Sequence, residues 1–160
     1  MRTPGRTAIR TAIALWMSMV IVCAAEEGNA AIMLERLVNF AARDEIGSAE
    51  ILRIPDEMRF ISQIGPPELE AQWIYRFSDR RIGSDRSTQL SQIVKGTKIQ
   101  KSERTCDLRW GIILYSRSGD RIAAIYFDKT GRYGSIGGVP VVYPPELFTR
   151  LKRALQTSIQ

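Results

Sequence analysis

Three short strings set aromatic rings beside guanidinium groups: Trp73-Ile74-Tyr75-Arg76, Arg109-Trp110 and Arg132-Tyr133. Rings and guanidiniums offer contact area and charge together, which is why Trp, Tyr and Arg dominate binding hot spots. Trp73, Arg76, Arg109, Trp110, Arg132 and Tyr133 are therefore the candidate partner-binding residues. The competing reading places the same rings in the core, with the arginines on the opposite strand face.

Catalytic chemistry has far less to work with. The chain of 160 residues contains no histidine. That removes Ser-His-Asp and Cys-His nucleophilic triads, imidazole acid–base steps and His-liganded zinc. The two cysteines are Cys23 and Cys106. No Asp-rich calcium loop is present. Carboxylates remain, and pairs such as Asp120 with Asp128 or Asp79 with Asp85 could in principle form a glycosidase-type dyad. All four sit in expected turns, where solvated acids are ordinary. No catalytic, cofactor-binding or metal-binding residue is assigned, and no cofactor is expected. A carboxylate-based envelope hydrolase is kept as the alternative function.

Asp128-Lys129-Thr130-Gly131 resembles the phosphorylated-aspartate motif of P-type ATPases over four residues. Where that family continues with a hydroxyl residue, this chain has Arg132. It is also too short for the family's nucleotide domain and membrane spans. The string reads as a turn ending a strand, with Asp and Gly in their usual roles. The run Gly131, Gly134, Gly137, Gly138 is followed by Val139-Pro140-Val141-Val142, which cannot open a helix, so it marks sheet bends rather than a phosphate cradle.

The N-terminus bounds where these residues act. Arg2, Arg6 and Arg10 precede an uncharged stretch from Thr11 to Ala25, which ends in Cys23-Ala24-Ala25. This is the order of a secretory signal peptide, cut before Glu26 or, at Gly28-Asn29-Ala30, before Ala31. Residues 1–25 are read as the signal and 26–160 as one α+β domain, exported to the periplasm and meeting the membrane only during export. An anchor retained at 11–25, making a membrane-tethered structural accessory protein, and lipidation of Cys23 are the alternatives. Removing three arginines leaves 20 basic and 17 acidic residues, a net charge of +3. That balance, without clustered Lys or Arg, argues against nucleic acid. Cys106 is then the one thiol of the processed chain, read as buried and inert.

The elements that must position the candidates follow from periodicity. Residues 29–43 read as an amphipathic helix with Asn29 as N-cap. Strands are expected over 49–54 and 58–61, then a helical turn opened by Pro66-Pro67 and a strand over 72–78. Ser87 reads as the cap of a helix over 88–95. Leu108–Tyr115 and Arg121–Phe127 read as a hairpin whose long apolar runs belong in the centre of a sheet. A third, shorter strand runs through 133–142 with glycines at its bends, and a helix over 145–155 closes the chain. The fold class is α+β: an antiparallel sheet with a central hairpin-meander at about 108–142 and helices packed on one face, including N- and C-terminal helices. The expected function is an exported, non-enzymatic binding domain, such as an inhibitor, immunity-type or accessory protein, acting on a protein or cell-envelope component.

Overall fold

Two strands and a tight turn form the middle of the sheet. β4 (Leu108–Ser116) and β5 (Arg121–Asp128) pair antiparallel, with Ile112 opposite Ile125. Eight of the nine β4 residues are buried, as a strand covered on both faces requires. The turn is closed by Ser116 N–H donating to the Asp120 carbonyl at 2.8 Å. The computed structural model describes residues 30–79 and 81–156. The expected signal peptide, its alternative anchor at 11–25, Cys23, the cleavage site before Glu26 and the Asn29 cap lie outside the described residues, whereas the bond before Ala31 lies in the first turn of the N-terminal helix, with Ala30 buried.

Around this hairpin the described residues form a sheet of seven strands, all antiparallel. They are β1 (Ile46–Arg53), β2 (Tyr75–Asp79), β3 (Gln100–Lys101), β4, β5, β6 (Tyr133–Ile136) and β7 (Val139–Val142), in the order β2-β1-β4-β5-β6-β7-β3. The helices are α1 (30–42), α2 (Pro66–Gln72), α3 (Ser84–Val94) and α4 (Leu147–Gln156). The fold is α+β with N- and C-terminal helices, as expected.

Alternation along β1 divides the core in two. Ala49 and Ile51 join Ile112, Leu114, Ile125 and Phe127 beneath α1, α3 and α4. Leu52 faces the other way and joins Ile113, Ala124, Tyr126 and Leu69 of α2. Three helices thus share one face, while α2 covers part of the second. Fully buried aliphatics such as Leu37, Leu90 and Leu151 each contribute roughly 1.5–3 kcal/mol by leaving water. Glu70 fastens α2 to the sheet: its carboxylate accepts from Arg121 at 2.7 and 3.1 Å and from the Tyr126 hydroxyl.

Several boundaries differ from the sequence expectation. Residues 58–61 are not a strand; the buried Arg109 guanidinium holds this segment as a loop by donating to Met58 O at 2.9 Å and Pro55 O at 3.3 Å. α3 starts at Ser84, with Gly83 at its N-cap, so Ser87 lies inside the helix. Its buried hydroxyl instead donates to Ala41 O at 2.9 Å, joining α3 to the end of α1. Residues 133–142 are two strands, not one. Gly137 and Gly138 both have positive φ, 59° and 83°, the signature of a two-residue hairpin turn that residues with a Cβ disfavour. The two-residue β3 is not among the strands expected from the sequence.

Candidate binding surface

The candidate residues fall into two groups at different parts of the sheet. The first lies along β2, the strand at one end of the strand order. α2 ends at Gln72, and the extended backbone of Trp73, which caps it, turns the chain into β2. Trp73, Ile74 and Tyr75 are 37, 48 and 48% exposed, an unusual run of large apolar side chains in water. Arg76 stacks its guanidinium 5.6 Å from the Trp73 ring and is ion-paired with Glu50 across the strands. Glu50 also accepts from the Tyr115 hydroxyl at 3.2 Å. Bonding to Glu50 holds Arg76 more firmly protonated, and burial, followed by the Glu50 charge, raises the Tyr115 phenol. Beside these groups is a groove of about 860 Å³, whose wall includes Glu50, Trp73, Arg76, Ser78, Arg81 and Arg117.

Tyr75 points to the other side of the same strand. The Arg53 guanidinium lies 5.9 Å from its ring and 4.8 Å from that of Trp110, directly opposite Arg53 in the β1–β4 register. Lys152 of α4 approaches Trp110 to 4.4 Å. Trp110 itself is only 7% exposed and packs on Phe148, so it supports the two cations rather than meeting a partner with its own face. Among the described residues neither Arg53 nor Lys152 makes a salt bridge. The Arg53 Nε is buried with no hydrogen-bond acceptor. The β2 edge therefore carries an aromatic–guanidinium pair on each face: Trp73 with Arg76, and Tyr75 with Arg53.

The second group is structural in its bonding. A register shift between Leu108 and Trp110 marks a bulge at Arg109, and strand alternation sets Arg109 on the face opposite Trp110. Only 8% exposed, Arg109 pairs with Asp107, lies 5.6 Å from Phe60, and pins the 55–58 carbonyls already described. Asp107 also accepts from Ile64 N–H at 3.0 Å. Arg109 and Tyr133 line a cavity of about 650 Å³ together with Cys106, Asp128 and Arg104, whose guanidinium sits 5.8 Å from the Tyr133 ring. Asp128 Oδ1 accepts from the N–H groups of Thr130 at 3.2 Å, Arg132 at 3.1 Å and Tyr133 at 3.3 Å. The Asp-Lys-Thr-Gly string is thus a carboxylate-closed turn. Arg132 is exposed, and its carbonyl accepts from Tyr143 N–H at 2.7 Å.

Chemically, this cavity is quiet. Cys106 is half-buried on its wall rather than fully enclosed. Burial, reinforced by Asp128 and Asp107, raises the thiol to about 11, so it is not a thiolate at neutral pH. Asp120 and Asp128 flank β5 at opposite ends, about 26 Å apart at ~3.3 Å per residue. A glycosidase pair works at roughly 5–10 Å. Asp85 is exposed in the first turn of α3, and the side chain of Asp79 lies outside the description. Among the described residues, no group of three or more His, Cys, Asp or Glu gathers to hold a metal.

Trp73 and Arg76 come together as their spacing suggested. Arg109 and Trp110 do not, because successive side chains of a strand point to opposite faces. Tyr75 belongs to the site and stands inside the sequence string that pointed to it. Arg53, Glu50 and Lys152 have no such local sign; only strand register and the packing of α4 bring them in. Comparisons with protein-family models, curated proteins and solved structures find no match to this chain.

Proposed function

We propose that this protein is an exported, non-enzymatic binding domain of the periplasm. It works as an inhibitor, immunity-type or accessory protein and holds a protein or envelope partner along the β2 edge. The observation that carries the reading is the exposure of Trp73, Ile74 and Tyr75 in succession at an edge no other described strand covers. Contiguous exposed apolar surface is a mark of interaction sites, and rings beside guanidiniums concentrate binding energy. The absence of histidine and the bonding of Asp107 and Asp128 to neighbouring backbone and side chains favour binding over catalysis.

The test is capture from the protein's own envelope fraction, comparing the unaltered chain with a Trp73→Ala/Tyr75→Ala variant. The expected result is a reproducible partner whose recovery falls about tenfold or more in the variant, the loss of a hot spot worth at least ~1.4 kcal/mol. Equal recovery on both proteins, or turnover of a glycan or ester by the domain, overturns the reading. Mass spectrometry of the chain from the envelope tests export separately: an N-terminus at Glu26 or Ala31 is expected, and an intact Met1 contradicts it.

A further inference from the structure

We infer that the β2 edge receives an extended acidic segment of another protein, which adds to the sheet as an outer strand. This rests on the reading of the β2 edge as the binding surface and specifies what occupies it. β2 ends the strand order, so its outer backbone groups have no strand partner among the described residues. An unpaired strand edge is a template for main-chain hydrogen bonds to an incoming strand.

Charge decides what kind of strand. Side chains of an added strand alternate between the two sheet faces. On one face they reach Arg76, exposed beside Trp73 and shared with Glu50. On the other they reach Tyr75 and Arg53, which has no carboxylate partner among the described residues. Lys152 lies behind Arg53 against the same Trp110 ring, and it too lacks one. Among the described residues the two cations share that ring without a carboxylate partner, so acidic side chains on the incoming segment complete the site.

The experiment is selection of a random dodecapeptide display library on the processed protein, followed by amide hydrogen exchange of the complex. The expected result is enrichment of acidic peptides with alternating apolar positions. Exchange at residues 75–79 should slow about tenfold, and affinity should fall about tenfold between low and physiological salt. Arg53→Ala should weaken binding while Arg53→Lys retains most of it. The salt series on the unaltered protein gives the charge readout without any variant. Enrichment of basic or uncharged peptides, no enrichment, or binding that leaves β2 exchange unchanged overturns the proposal. So does slowing of β2 exchange with protein concentration alone, which would make the edge a self-interface. If envelope capture still depends on Trp73 and Tyr75 after such a failure, the binding surface stands and the acidic strand falls. If capture never depended on them, the surface itself is wrong.

Discussion

The two ends of the sheet are built on opposite lines. At the β3 end the outermost strand is two residues long, and its neighbour β7 contains Pro140, which has no N–H to offer. Exposed Lys98, Glu103 and Arg104 surround it. Short length, charge and proline are the usual ways of blunting an edge. Inward of this end, Phe127 packs on Tyr143 at 4.7 Å and on Phe148 at 4.9 Å, and the Tyr143 hydroxyl donates to Ser135 O at 2.9 Å. The β2 end has a five-residue strand, and while Phe77 packs on the core, the rings of Trp73 and Tyr75 stand in water. Aromatic material at one end is committed to the core, and at the other Trp73 and Tyr75 are displayed. An edge left apolar while its counterpart is protected is the contrast on which the proposed binding at β2 rests.

That contrast can be broken at either end. The largest expected effect is at Gly134 in β6, where an added Cβ would stand 1.8 Å from Tyr126 O and 2.7 Å from the Tyr143 ring. Gly134→Val should cost about 4 kcal/mol or more, read as loss of the cooperative urea transition. Tyr143→Phe comes next. Losing the bond to Ser135 O should lower unfolding free energy by about 1–1.5 kcal/mol in the same measurement.

Cys106, which lines a smaller cavity with Gly134, gives a pH test of the closed end. Its folded value, about 11, lies above the ordinary 9.0. The thiol therefore stabilises the fold fully below pH 9 and loses that contribution as pH rises through 11. Cys106→Ser should flatten this part of the stability–pH curve, by under about 1 kcal/mol given the half-exposed site. The smallest effect belongs to the open end. Trp73→Ala and Tyr75→Ala should each shift unfolding free energy by within about 0.5 kcal/mol, as surface changes do. A loss as large as that of Tyr143→Phe would show that these rings are core, and the contrast would collapse.

Legibility in the sequence followed the range of the interactions. The β4–β5 hairpin and its central place could be read from apolar runs flanking one turn, because both signals are local. The Gly137-Gly138 hairpin was legible as a bend but not as a turn between two strands, since only the paired positive φ angles separate the two. The loop through Met58 reads as a strand until Arg109, far along the chain, takes its carbonyl. Ser87 has the chemistry of a cap, yet the helix begins a turn earlier and the hydroxyl serves a neighbouring helix instead. At the proposed binding surface, Trp73 and Arg76 announced themselves by spacing. Arg53 gave no sign, because its meaning depends on lying opposite Trp110 and beside Tyr75.

The position of β1 also has a kinetic consequence. β4 to β7 are joined in succession by tight turns, so that meander can form from local encounters. β1 must close a long loop to pair Ile51 with Ile112, and such closures come late because chain entropy opposes them. Until β1 docks, the long apolar β4 is itself an unprotected edge, far stickier than β2 in the finished protein. Aggregation during refolding should therefore track how long β1 is delayed, and weakening the β1–β4 contact should harm yield before it harms the stability of molecules that have already folded.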